Sequence, residues 1–481
     1  MTSMLDQAKA TLPFDIIGSI LDQVAYAGDT KTLCVCSFIS SDVLHLCRTH
    51  IFRTFDMRTK IASQEESILI NYYYLLSVNP QLVRYVRHVH VLDLNPSHWV
   101  LNHPFLPRLL HLLTNLEIFG LHIMKSVSWK RFDFALQSSI TELVARPSLV
   151  GLFLTGIEDV HPSVFNICSC LQSLNLISTS LEPPSNPDDR EKESDKMELI
   201  SSADGRRIYL EAVSFRNCQV FLTQLKEYMD TFKLSLDFSR LRDLNINFSP
   251  TTFDLTWKII HSARTTLETL KISQSYTEES DYHAQAHAFM LSSRMDYHRQ
   301  LLPNITLAPM QHLRELSFTI QISDLFEPSP RETLSEWCLL LKTAPRGLKN
   351  VHIILDLFFL YSGDVVGLFP VGKTRKSSKS RHEKPTLLSE LDEALSSDQF
   401  FPSLSSIVLE VQLPEHHDNS SDSEYAGSYA YGDDPGPPPP SLTLEEVSAS
   451  VRRMMKLTRN RLDNRGPFGV EGFTTLVGIG G

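Results

Sequence analysis

Leu149-Val-Gly-Leu152-Phe-Leu154 and, shortly after it, Leu171-Gln-Ser-Leu174-Asn-Leu176 repeat one apolar pattern, L-x-x-L-x-L, and the reading of that pattern decides the fold. The same spacing occurs at Val86/Val89/Val91, Leu116/Phe119/Leu121, Leu210/Val213/Phe215, Leu241/Leu244/Ile246, Leu267/Leu270/Ile272, Leu313/Leu316/Phe318, Leu348/Val351/Ile353 and Leu404/Ile407/Leu409. Side chains alternate sides along a strand, so the last two apolar residues of each copy point to one buried side. The first anchors the chain as it approaches the strand. Helical stretches separate the copies, at Phe105 to Leu113, Phe134 to Ala145, Phe221 to Phe232, Phe253 to Ala263 and Glu332 to Ala344. Strand and helix in alternation predict an α/β fold with a parallel sheet.

These copies resemble leucine-rich repeats. That resemblance implies a solenoid over residues 61–413, in which neighbouring repeats bury each other's faces. The spacing is irregular: first-position gaps run from roughly 22 to 56 residues, against about 20 to 29 in regular repeats. Only Asn217-Cys218, after the fifth strand, partly supplies the residue that closes a regular repeat's turn. The expectation is therefore an irregular leucine-rich-repeat-like solenoid. An open α/β domain without solenoid curvature is the alternative that the same pattern allows.

Upstream, Leu12 to Phe55 reads LPFDIIGSILDQVAYAGDTKTLCVCSFISSDVLHLCRTHIFRTF. Thr11 can cap a helix with Pro13 near its first position, where the missing N–H costs nothing. Ile16, Ile17, Ile20, Leu21 and Val24 then recur at helical spacing as one apolar stripe. Gly28 ends that helix. Asp29 or Thr30 can cap a second, carrying Leu33, Val35, Cys36 and Phe38, and Asp42 a third, carrying Val43, Leu44, Leu46, Cys47, Ile51 and Phe52. A piece of about 40 residues rarely sustains a core of its own, so some of these apolar side chains should face a partner or the next domain.

The Leu12-Pro13 opening, the Ile16-Ile17 pair with Ile20, and the run Leu33, Cys36-Ser37-Phe38-Ile39-Ser40, Leu44, Cys47-Arg48, Ile51-Phe52-Arg53 resemble the F-box, in the form that many fungal proteins carry. The resemblance covers under a tenth of the chain. It implies that residues 1–60 form a three-helix module that docks onto the Skp-type adaptor of a cullin ubiquitin ligase core. By the same resemblance, the docking residues are Leu12, Pro13, Ile16, Ile17, Ile20, Leu33, Cys36, Phe38 and Ile39. Two positions differ from the family's habit: Ser41 stands where a basic residue is common, and Val43 where Trp or Phe is common.

Composition bounds the rest. A net charge of -11 disfavours nonspecific nucleic-acid binding, which needs a basic stripe. The longest apolar run, Val351 to Tyr361, contains Asp356 and falls short of the ~20 residues a bilayer needs, so it reads as a buried strand and no membrane is expected. Seven cysteines without a regular framework or a secretory signal imply reduced thiols in the cytoplasm or nucleus. Polar insertions near 182–207 and 372–386, an acidic and Pro-rich linker at 414–441, a helix within 442–465 and a flexible Gly-rich tail at 466–481 complete the expected organisation.

Several motifs compete with a receptor reading. Gly367-Leu-Phe-Pro-Val-Gly372-Lys373-Thr374 satisfies the P-loop expression, but a P-loop needs a helix directly after it. The charged run that follows, broken by Pro385, is a poor helix start. His283 and His287 stand four apart without the acidic partner of a zinc site, and read as a solvated helix face. Cys34/Cys36 and Cys168/Cys170 lack C-x-x-C spacing and read as core fillers. The basic loop from Lys373 to Arg381 reads as a solvated insertion rather than a nuclear-import signal. No catalytic residue, metal or cofactor is expected.

The two resemblances together imply a non-catalytic substrate receptor of an SCF-type (Skp-cullin-F-box) ubiquitin ligase, with an unknown protein substrate. A scaffold with a degenerate F-box is the first alternative, and a P-loop NTPase the remote one.

Overall fold

The computed structural model describes residues 13–57, 65–94, 98–183, 207–231, 236–248, 251–274, 306–321, 330–356, 388–413, 444–456, 458, 460 and 472–479. It is an α/β protein built on parallel strands, divided into two compact units. Unit 1 comprises Met1–Leu210 and Val220–Asp237, and unit 2 comprises Glu211–Gln219 and Phe238–Gly481.

Unit 1 opens with three helices, α1 (Phe14–Tyr26), α2 (Thr30–Cys36) and α3 (Ser41–Ile51). Then β1 (Thr54–Asp56), α4 (Glu65–Val78), a 3-10 turn (Pro80–Tyr85), β2 (His88–Asp93), α5 (Phe105–Leu112), β3 (Ile118–Ser128), α6 (Phe134–Val144), β4 (Gly151–Glu158), α7 (Ser163–Asn166) and β5 (Ser173–Ile177) follow. The strands β1 to β5 pair in chain order, every pair parallel. A separate two-stranded pair joins β6 (Ile208–Tyr209) to β8 (Leu236–Asp237), with α8 (Gln219–Thr231) between them in sequence.

Unit 2 contains β7 (Ala212–Arg216), β9 (Asp243–Phe248), α9 (Phe253–Ser262), β10 (Thr269–Gln274), β11 (Glu315–Gln321), α10 (Pro330–Lys342), β12 (Asn350–Asp356), α11 (Ser389–Ser396), β13 (Ser406–Leu413), α12 (Leu444–Met454) and β14 (Gly472–Ile479). Its strands also run β7-β9-β10-β11-β12-β13-β14, all parallel. Neither unit reverses its strand order, as a doubly wound sheet does at its switch point.

The apolar pattern becomes a ladder. All thirty residues of the ten L-x-x-L-x-L copies are buried. In unit 1, Val89, Phe119, Leu152 and Leu174 stand in register, and so do Val91, Leu121, Leu154 and Leu176. In unit 2, Leu244, Leu270, Leu316, Val351 and Ile407 form the matching row. Each such side chain, fully removed from water, contributes roughly 1.5–3 kcal/mol. Helices lie on the buried side, as shown by Phe55 stacked on Tyr72 of α4 at 4.2 Å and Phe318 on Trp337 of α10 at 4.9 Å. A backbone device fixes the register between copies. The carbonyl of the second residue of one copy accepts the N–H groups of the second and third residues of the next. Arg87 O thus accepts from Glu117 and Ile118, and Glu117 O from Val150 and Gly151. Glu268 O accepts in the same way from Arg314 and Glu315, and Arg314 O from Lys349 and Asn350.

The separating helices lie within two residues of their expected bounds. Several expectations are corrected. Residues 54–56, assigned to the helical module, form β1 and pair with β2: Phe52-Arg-Thr-Phe55-Asp-Met57 carries the repeat spacing in Phe and Met. Gly472–Ile479, assigned to a flexible tail, is strand β14, parallel to β13, because Phe473-Thr-Thr-Leu-Val477 between its glycines is rich in strand-forming residues. Ser40, not Asp42, caps α3, accepting from Val43 N at 3.3 Å. The single stripe expected on α1 is two: Ile17, Leu21 and Val24 face the module's core, while Ile16 and Ile20 face outward. Cys34, expected in the core, is exposed. Thr11, Leu12, the segment 367–374, His283, His287, the basic loop and residues 414–441 lie outside the described residues.

Candidate functional site

Two surfaces stand out, one on the helical module and one on the sheet. The module is shaped by its turns. At the end of α1, Gly28 adopts φ 72°, its N–H donates to Ala25 O, and Asp29 N–H donates to Val24 O, a Schellman closure that only a left-handed residue permits. Asp29 then caps α2 by accepting from Thr32 N at 3.0 Å. The Thr32 hydroxyl and N–H hold its carboxyl below the usual carboxylate range. These turns fold the helices around four buried residues, Leu21, Leu33, Val43 and Cys47, with Ile17, Val24, Ala25, Cys36, Leu46 and Ile51 packed against them.

Outside that core the module is unusually apolar. Among the described residues, fifteen large hydrophobic side chains are exposed, and seven fall between residues 14 and 39: Phe14, Ile16, Ile20, Tyr26, Val35, Phe38 and Ile39. Phe38 and Ile39 follow α2 in a tight turn and are 87% and 71% exposed. Single exposed apolar residues are ordinary, but a concentration of them marks an interaction surface.

Of the nine residues expected to dock, Pro13, Ile16, Ile20, Phe38 and Ile39 are exposed. Leu33 is a correction: at 3% exposure it offers no surface, because it packs with Leu21, Val43 and Cys47 in the core between the three helices. Ile17 and Cys36 are half-buried against the same core. Phe14, Tyr26 and Val35 are exposed apolar residues that sequence reading did not select. Ser41 is exposed in the first turn of α3, whereas Val43 is core, so its small side chain changes internal volume rather than the surface.

The second surface is the side of the sheet opposite the buried ladder. In unit 1 it carries His88 and His90 on β2, Gly120 and His122 on β3, Phe153 and Thr155 on β4, and Asn175 on β5. Its rim is charged: Glu117 lies 3.9 Å from Arg53, 3.6 Å from Arg87 and 3.9 Å from His88. Burial and then the Arg53 charge hold the His88 imidazole below its ordinary value. The alternation His88-Val89-His90-Val91 carries the signal for this cluster, since the buried valines force both histidines outward. In unit 2 the same side is polar. Asn217 Oδ1 accepts from Asn247 Nδ2 at 3.2 Å, Asn247 in turn accepts from the Ser273 hydroxyl, and His352 Nε2 lies 3.2 Å from Glu410.

Among the described residues, no group of three or more His, Cys, Asp or Glu side chains could hold a metal ion, and no helix is long and apolar enough to cross a membrane. Compared with protein-family models and with curated proteins, the chain matches none.

Proposed function

We propose that this chain is the substrate-recognition subunit of an SCF-type ubiquitin ligase. The helical module α1–α3 is an F-box that docks onto a Skp-type adaptor, and the strands beyond it form a leucine-rich-repeat-like solenoid whose open face binds a target protein. The single observation carrying the reading is the apolar surface of Pro13, Ile16, Ile20, Val35, Phe38 and Ile39 displayed around a separate four-residue core. Strands paired in chain order, with the apolar ladder in register, support the solenoid. The chain contributes no chemistry of its own. It holds target lysines near a ubiquitin-charged partner, and the raised effective concentration drives transfer.

Co-purification of the full chain with a recombinant Skp-type adaptor tests this. The wild type should retrieve the adaptor, and Ile16→Asp/Phe38→Asp should abolish retrieval while leaving the fold intact, because both side chains are exposed. A folded wild-type chain that retrieves no adaptor overturns docking. That result favours a second reading, a non-catalytic scaffold, which draws on Ser41, exposed where F-boxes commonly carry a basic residue.

A further inference from the structure

On the open face of unit 1, two imidazoles from neighbouring strands lie against each other. His90 Nδ1 and His122 Nε2 are 3.4 Å apart, with ring centroids at 5.7 Å and planes at 22°. His122 Nδ1 lies 3.0 Å from Thr155 Oγ1 on the next strand. Gly120, the register partner of His90, makes the approach possible: a Cβ there would stand 2.3 Å from His90 Nδ1 and 2.9 Å from His122 Nε2. Phe153, the register partner of Gly120, meets the His90 ring edge-on at 5.7 Å.

One proton fits between the two rings. A neutral imidazole donates from one nitrogen and accepts at the other, so a neutral pair joins through one N–H···N bond. A pair carrying a single charge keeps that bond and strengthens it, imidazolium donating to imidazole. A second charge makes every ring nitrogen a donor and sets N–H against N–H.

We propose that the His90–His122 pair is a proton-operated latch on the target face: closed when it carries one charge or none, and opened by the second proton. Opening lifts the rings from the Gly120 backbone and turns this part of the face dicationic, which favours an acidic segment of the target. The surrounding charges grade the two steps. Asp56 on β1, the register partner of His90, and Glu117 before β3 favour the first proton. Arg53 and Arg87 oppose the second, and His88, held below its ordinary value, joins them only when it is itself protonated. β4 supplies Thr155 and Phe153, neither of which titrates in this range. The regulatory consequence rests on reading the open face as the target surface; the ring chemistry does not.

Nuclear magnetic resonance of the full chain with histidine Cε1 labelled, titrated from pH 8 to 5, tests the latch. His90→Phe and His122→Phe assign the two signals. The wild type should show two steps at least about one pH unit apart, a tenfold separation in proton affinity. His122→Phe should move the His90 midpoint, and Gly120→Ala should merge the two steps. Signals that titrate together in the wild type, each unmoved by substitution of the other ring, overturn the latch, and the two phenylalanine variants decide this even when Gly120→Ala does not fold. No adaptor or target is present, so failure here is distinct from failure of adaptor docking.

Discussion

The helical module and the sheet of unit 1 place similar apolar side chains in opposite ways. Along β2 to β5 every apolar residue of the pattern is buried, and the histidines and polar residues face out. In α1, α2 and the turn after α2, Leu21 and Leu33 are buried while Ile16, Ile20, Val35 and Phe38 remain exposed. A parallel sheet paired in chain order gains a buried neighbour with each added strand. A three-helix piece has only itself, and its surplus apolar surface is available to a partner. Burial in one region serves stability, and exposure in the other serves binding if the proposed docking holds.

The sharpest way to break that contrast is to remove one phenylalanine from each region. Phe119, fully buried between Val89 and Leu152, should cost about 3–5 kcal/mol as Phe119→Ala, because the lost transfer energy adds to the cavity left behind. Phe38→Ala should change stability by less than about 0.5 kcal/mol, as exposed substitutions usually do. Urea denaturation of both variants measures the difference. Comparable losses would mean that Phe38 belongs to a core.

Much of the sheet was legible in the sequence, because strand period two and a pattern repeated ten times fix which residues face inward. The terminal strands were not. In β1 the pattern is written in Phe52, Phe55 and Met57, and in β14 two glycines disguise a strand that the β13 edge organises. Within the module, spacing identifies apolar residues but not their side. Ile16 and Ile17 are neighbours in sequence, yet one faces water and the other the core, and the three-helix arrangement alone decides between them. Leu33 and Val35 divide in the same way.

The turns sharpen the comparison at smaller scale. Gly156 in β4 has φ 66°, and a Cβ there would stand 2.1 Å from the Ile123 carbonyl oxygen, where the β3 register shifts between His122 and Val127. Gly28 after α1 has φ 72°, and a Cβ there would meet nothing within 4 Å. Gly156→Ala combines backbone strain with a collision against main chain and should cost at least about 2 kcal/mol. Gly28→Ala carries the strain alone, roughly 1 kcal/mol. Thermal unfolding of the two variants ranks them, and the reverse order would contradict the packing at the β3 shift.

The smallest effect on stability, and the most direct report on the module's surface, comes from the cysteines. Cys168 and Cys338 lie in the cores of their units, and burial pushes both thiols up to about 12, so neither offers a thiolate near neutral pH. Burial likewise raises the Cys47 thiol inside the module. Cys34 is exposed on α2, next to Val35 and one turn before Phe38. A maleimide at neutral pH should therefore modify Cys34 quickly, and Cys34→Ser should remove the fast phase without a measurable change in unfolding. Thiolates react and buried thiols do not, so Cys168 and Cys338 should be modified only after denaturant is added. If the module docks through this surface, a bound Skp-type adaptor should shield Cys34 and slow its modification. Unchanged modification in a complex known to have formed would place the adaptor on another face, and would separate the exposed apolar patch from the function proposed for it.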